Sequence, residues 1–447
     1  MMRLIKKTVI TFLMLILAPI MAMAQSGAEA ATPALDSGNT AWIIVATILV
    51  LFMTIPGLAL FYGGLVRQKN ILSIIMQCLI CVAVVSILWV FFGYSWVFGT
   101  DFMKSGSSLG FFIGGFDKVF LHGITLKSLA PGNIPELVFV LFQCMFAVIT
   151  PALIIGAFAE RIKFSGFMLF TILWTILVYN PMAHWVWGGG WIQQLGALDF
   201  AGGTVVHVNA GIAALVMALM LGKRSDYKPG RPTMPHNIPF VFMGAAFLWV
   251  GWFGFNAGSG LAADGLAGNA FLVTHVATCA AALTWMGIDW LLNKKPTTIG
   301  VCTGAVAGLV AITPAAGSVD VLGAVCIGFI TASISFIFVA YVKPKLKYDD
   351  SLDAFGVHGV GGIIGSILTG VFATHAITGA DGAQGALYGD WHQLLVQLIA
   401  TVFTMIYSAV FTYVLFIIVN KTVGIRVAPR EEEEGVDVYE HGETAYN

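Results

Sequence analysis

Two histidines stand apart because each lies inside an otherwise apolar run. His207 ends the stretch Asp199-Phe200-Ala201-Gly202-Gly203-Thr204-Val205-Val206-His207, and His358 ends Asp353-Ala354-Phe355-Gly356-Val357-His358. An ionisable side chain at membrane depth is costly and commonly marks a pathway. Each neutral imidazole has one donor and one acceptor nitrogen, so two together can share a proton and offer a polar track through an apolar bore. The alternative is two separately satisfied packing histidines. A metal centre fits less well, because no third ligand lies nearby in sequence. His275 has no such counterpart and reads as packing.

Acids and aromatics flank these motifs. Asp199 and Asp353 begin the two histidine helices, where an aspartate serves as N-cap and suits the helix dipole. Asp353 reads as a cap alone. Asp199, about 12 Å above His207 at helical rise, could also organise a cation entrance without touching the cation. Trp187, in Trp185-Val186-Trp187-Gly-Gly-Gly, and Ser259, after Phe255-Asn256-Ala257-Gly258, fall at the outer ends of their segments. By depth they could line an outer vestibule, the aromatic face attracting a compact cation and the hydroxyl accepting its hydrogen bond. The alternative for Trp187 is the aromatic belt of a membrane interface. Cys78, Cys81, Cys144, Cys279, Cys302 and Cys326 all lie in apolar stretches. They read as inert packing thiols, since redox or metal chemistry needs a polar, accessible thiolate.

The elements that must hold these groups are membrane helices. Hydrophobic residues make up 58% of 447 positions and charged residues 10%, with a mean hydropathy of +0.89. A soluble chain of this length would need more charge to cover its surface. The net charge of -1 gives no reason to expect nucleic-acid binding. Arg3, Lys6 and Lys7, an apolar run and Ala22-Met23-Ala24 read as a signal peptide over residues 1–24, with a retained anchor as the alternative. Eleven apolar stretches follow, beginning at Ala41, Ile71, Ile134, Gly166, Asp199, Ile238, Ala267, Gly300, Val319, Asp353 and Leu394, each near the length that crosses a bilayer.

Loop charge orients them. Sixteen Lys and Arg residues, from Arg67 to Arg430 and including Arg231, follow the odd-numbered spans; only Lys104, Lys118 and Lys127 lie in loops of the other set. Cytoplasmic loops carry the basic excess, so the N-terminus is expected outside and the C-terminus inside. Ile149-Thr150-Pro151-Ala152 recurs as Ile312-Thr313-Pro314-Ala315, and His207-x-x-Ala-Gly-Ile is echoed by His358-x-x-Gly-Gly-Ile. Spans one, three and five thus map in order onto six, eight and ten. The expected fold is an all-α integral membrane bundle of eleven transmembrane helices. It comprises an inverted 5+5 repeat (residues 41–222 and 238–373), an extra helix at 394–420 and a soluble tail at 421–447. A pathway between inverted halves near the midplane is a transporter design.

The stretches Phe146-Ala147 to Ile162, Asp199 to Gly211, Trp252 to Ser259 and Asp353 to Gly359 resemble the Amt/MEP/Rh family of ammonium transporters, specifically its bacterial type. The resemblance runs from the first span to the C-terminus. It implies a homotrimer in the bacterial inner membrane, with one ammonium/ammonia path per subunit and no cofactor. It also implies roles: Phe146, Trp187 and Ser259 as outer ammonium site, Phe146 and Phe255 as gate, His207 and His358 as twin pore histidines. Asp199 would be the structural acid behind the outer site, with Trp252 and Thr313 lining the path. The acidic tail, Glu431 to Glu443, would pack on the cytoplasmic face, where a PII signalling protein (GlnK-like) could plug the exits. A nitrogen sensor and an intramembrane enzyme are the rival classes. The first would need an appended signalling domain, and the second a nucleophile–base pair that the spans lack.

Overall fold

Runs of twenty or so apolar residues leave the backbone to satisfy its own polar groups, and only a helix does so within one segment. The computed structural model describes residues 34–229 and 234–446; the expected signal peptide at 1–24 and Arg231 lie outside the described residues. In chain order the helices are α1 (Ser37–Leu65), α2 (Gln68–Lys104), α3 (Glu136–Phe158), α4 (Phe164–Gln194), α5 (Gly203–Leu221) and α6 (Ile238–Gly258). They continue with α7 (Gly265–Asn293), α8 (Thr298–Ile312), α9 (Val321–Leu346), α10 (Phe355–Phe372) and α11 (Trp391–Thr422). Ten are long and apolar enough to cross a membrane. α8 has 15 residues, Thr298–Ile312, and begins and ends earlier than the stretch from Gly300 to Ala316 read from hydropathy; Pro314 follows its end, whereas α3 runs through Pro151 of the matching motif. Among the described residues, ten of the eleven expected spans are thus long enough to cross a membrane, and the eighth is a shorter apolar helix.

Polar residues at the loop ends set the boundaries. Asp36, Asn237, Asp264, Thr297, Asp320 and Asp390 each accept a backbone N–H in the first turn of the helix that follows, satisfying donors that a helix leaves open. α1 packs along α6, α3 along α5, and α7 along α8 and α9. A methyl group on Gly254 would sit 2.7 Å from the carbonyl oxygen of Ala46, so only glycine lets α6 lie this close to α1. Around the perimeter, large apolar side chains such as Phe242, Val250, Phe329 and Ile406 stay exposed, as a lipid-facing surface requires.

Charged groups gather at one end of the bundle, called here the basic end. Arg67 and Arg224 both pair with Glu160, at 2.9 and 2.7 Å, and Arg224 also pairs with Asp349 at 2.9 Å. The chain's last segment closes over these loops. Its short helix α12 (Pro429–Glu434) places Glu432 against the N–H of Ser225 and the Arg426 guanidinium. Asp437 accepts the N–H groups of Leu72 (2.9 Å) and Ser73 (2.8 Å). The preceding Asn70 makes no capping bond to its own helix, so the regular part of α2 takes its cap from the far end of the chain. At the opposite, mouth end, a long connection between α2 and α3 includes a two-residue antiparallel pair, β1 (Leu129–Ala130) with β2 (Ile134–Pro135).

Candidate functional site

The two histidine helices begin abnormally. Both open with widened π-helical turns, Gly203–Val208 in α5 and Phe355–Gly359 in α10, a distortion frequent at functional sites that also occurs elsewhere in this bundle. Each follows a residue with positive φ, Gly202 (+112°) and Asp353 (+59°). The Asp199 carboxylate accepts the N–H groups of Gly202, Gly203, Thr204 and Val205 and the Thr204 hydroxyl. It is thus a cap with its lone pairs committed. Its backbone carbonyl accepts the Trp187 indole N–H at 2.8 Å, which ties the end of α4 to the start of α5.

Asp353 is not the corresponding cap. Its carboxylate pairs with Lys343 at 2.5 Å, and Asp350 accepts the N–H groups of Ala354 (3.1 Å) and Phe355 (2.8 Å). The chain needs Asp353 itself in the left-handed turn that starts the helix, so the capping carboxylate must come from further back. The missed signal was spacing, since Asp350 precedes His358 by eight positions, as Asp199 precedes His207.

The helix crossing then decides where the imidazoles sit. A Cβ on Gly211 of α5 would fall 2.2 Å from the backbone of Gly359 in α10. That close approach sets His207 and His358 ring to ring, with centroids 5.5 Å apart and planes within 12°. Both are buried, and among the described residues no group bonds either ring nitrogen of His207 or the Nδ1 of His358. The face of His207 stacks on Trp252 at 5.4 Å. Trp252 is fixed by its indole N–H to the Thr313 hydroxyl (2.8 Å), which in turn donates to the Leu309 carbonyl (2.8 Å). Thr313 therefore acts on the site through Trp252.

Toward the mouth end lie Phe255, 6.1 Å from His207, and Phe146, stacked on Phe255 at 4.3 Å and 27°. Trp187 meets Phe146 edge to face at 5.6 Å. A cavity of about 420 Å³ opens beyond, lined by Phe146, Trp187, Ser259 and Gln143 among others. The Ser259 hydroxyl donates to the Phe255 carbonyl at 2.8 Å, so its lone pairs are left to accept from an incoming N–H. The arrangement runs in one line: an aromatic, hydroxyl-bearing cavity, a closed phenylalanine pair, then two unpartnered imidazoles.

His275 stands apart from this line. It is exposed on the outer face of α7, against Trp249 and Phe253 of α6. All six cysteines are free, and among the described residues no three His, Cys, Asp or Glu side chains gather as a metal site. Sequence reasoning passed over Glu136, Gln143, Tyr94 and Lys118, which also line the mouth cavity. Glu136, Gln143 and Phe146 sit at i, i+7 and i+10 on α3, a spacing that marks one helix face.

Residues 41–446 match the model of the Ammonium Transporter Family. An ammonium transporter of Aquifex aeolicus is 50% identical over 96% of this chain and 98% of its own length. One from Bacillus subtilis is 47% identical over 92% of this chain and 99% of its own. The crystal structure of Candida albicans Mep2 superimposes with a TM-score of 0.82 at 37% identity, covering 89% of this chain and 88% of that one.

Proposed function

The chain belongs to the ammonium transporter family, and from that premise we propose that it recruits ammonium at Phe146, Trp187 and Ser259, removes its proton, and conducts ammonia along His207 and His358. The observation that carries this reading is the linear order of cavity, phenylalanine pair and imidazole pair. A cation bare of water in an apolar bore meets a severe solvation penalty. Ammonium escapes it by giving up a proton; potassium has none to give. The aromatic faces attract the ion and the Ser259 oxygen accepts one of its N–H groups. The stacked phenylalanines keep water out, and the imidazole nitrogens offer ammonia successive donors and acceptors. The proton follows by a separate or histidine-assisted route, so transport is electrogenic. Asp199 holds Trp187 and the first turn of α5 in place without touching the ion, and Trp252 and Thr313 fix the inner wall.

The mouth end faces outside and the basic end the cytoplasm, as the distribution of Lys and Arg supports. The two halves of the bundle form an inverted repeat with α11 outside it; the matching Asp199/His207 and Asp350/His358 spacing supports this. The basic residues Arg3, Lys6 and Lys7, the apolar run and Ala22-Met23-Ala24 support a signal peptide removed after Ala24; family resemblance adds a homotrimer in the inner membrane of a bacterium and a PII signalling protein docking beside the tail. The test is ammonium-evoked current in proteoliposomes, comparing wild type with His207→Ala and His358→Ala. Wild type is expected to respond to ammonium and not to potassium, and the variants to lose that selectivity or the current. Unchanged selectivity in both variants removes the histidines from the mechanism, and wild-type currents that follow potassium sink the whole reading.

A further inference from the structure

The mouth cavity holds a second cation arrangement. Lys118 belongs to the long connection between α2 and α3, among the three basic residues that break the loop-charge pattern. Lys104 and Lys127 are exposed, whereas Lys118 is partly buried and lines the cavity. Its ammonium group lies 2.5 Å from Oε1 of Glu136 and 5.5 Å from the centre of the Tyr94 ring. The Tyr94 hydroxyl donates to the same Glu136 oxygen at 2.8 Å. A carboxylate and an aromatic face around an –NH3+ group are the chemistry that would hold a free ammonium ion. Glu136, Phe139, Gln143 and Phe146 all line the cavity at i, i+3, i+7 and i+10, so they form one stripe down α3. At helical rise Glu136 lies about 15 Å above Phe146.

We infer that Glu136 and Tyr94 form an outer cation position of the vestibule, which Lys118 occupies as a tethered competitor, and that incoming ammonium displaces it on the way to Phe146. This rests on reading Phe146, Trp187 and Ser259 as a cation site. The Lys118 and Glu136 side chains are 25% and 11% exposed, and replacing the lysine by an ammonium ion from the cavity leaves the Glu136 carboxylate paired, so exchange avoids the cost of an uncompensated buried charge. Tethering keeps the lysine ammonium at an effective concentration of about millimolar or more, so it competes with dilute external ammonium. The vestibule would then damp its own affinity.

The experiment measures ammonium-evoked current against ammonium concentration in proteoliposomes. Lys118→Met is expected to lower the half-saturating concentration about tenfold, the competitor having gone, with the maximal current changing far less. Lys118→Arg, which restores a tethered cation, should bring it back up. Glu136→Gln should raise it and, if Lys118→Met does not fold, carries the test alone. A half-saturation in Lys118→Met or Glu136→Gln that stays at the wild-type value overturns the inference. Trp187→Leu separates the two levels. If it raises half-saturation while Lys118→Met leaves it fixed, only the outer position fails; if Trp187→Leu changes nothing, the cation-site reading beneath it fails as well.

Discussion

Asp199→Ala removes the acceptor for four backbone N–H groups and one hydroxyl at the start of α5. Asp199 is buried, so bulk water is not at hand to replace it. An orphaned buried donor costs about 1–3 kcal/mol, and four of them set a loss of at least about 4 kcal/mol even after the first turn relaxes. Asp199→Asn keeps one acceptor oxygen but turns an NH2 group toward other donors, and roughly half that loss is expected. Thr204→Val deletes one of the bonds, about 1 kcal/mol on its own. Because Asp199 and Thr204 share that bond, the double variant should fall short of the summed effects by about 1–2 kcal/mol. The assay is denaturant unfolding in detergent at fixed lipid content, with ammonium current measured in parallel. Current should fall too, because the Trp187 indole is anchored on the Asp199 carbonyl. A loss well below about 4 kcal/mol for Asp199→Ala, or strict additivity with Thr204→Val, would refute the reasoning.

Two further perturbations act at the helix crossing and at the basic end. Gly211→Ala places a methyl carbon 2.2 Å from the Gly359 backbone, where ordinary contact begins at 3.4 Å; α5 and α10 must part by about 1 Å, and ammonium current should be lost while the folded protein is still recovered. Wild-type conduction by this variant would dissociate the glycine contact from the histidine pair. Burial alone would push the Glu160 carboxyl up, but hydrogen bonds from Arg67 and the charges of Arg224 and Arg67 bring it down to about 2. Against an unfolded value near 4.5, this contributes roughly 3 kcal/mol. That stabilisation is fully present above the unfolded value and fades as pH falls toward about 2. Unfolding profiles of wild type and Glu160→Gln should converge across that range, and parallel profiles count against the pairing.

The helices were legible because a membrane span must be apolar along its whole length, and the loop charges were legible because they are segregated by side. The bounds of α8 were less legible: hydropathy continues through Thr313-Pro314-Ala315-Ala316, while the helix itself ends at Ile312. Asp353 reads as the cap because it is the acid nearest the helix start, but the left-handed conformation of that residue moves the capping carboxylate back three positions to Asp350. Spacing marked His207 and His358 as a pair. What brings their rings together is a backbone contact between Gly211 and Gly359, and no periodicity exposes such a contact. The stack of Phe146 on Phe255 likewise depends on how α3 lies against α6, and Lys118 reaches Glu136 only through the course of an irregular connection.

The cap that Asp437 provides to α2 has a consequence for the order in which the chain is made. The bond joins residues 365 positions apart. At the usual pace of synthesis, about 5–20 residues per second, the start of α2 waits roughly 20–70 s for its acceptor to leave the ribosome. During that interval the early helices sit in the membrane with an unfinished end. An element inserted early is thus completed by a segment made some 365 positions later, and the basic end becomes whole only once that segment has emerged.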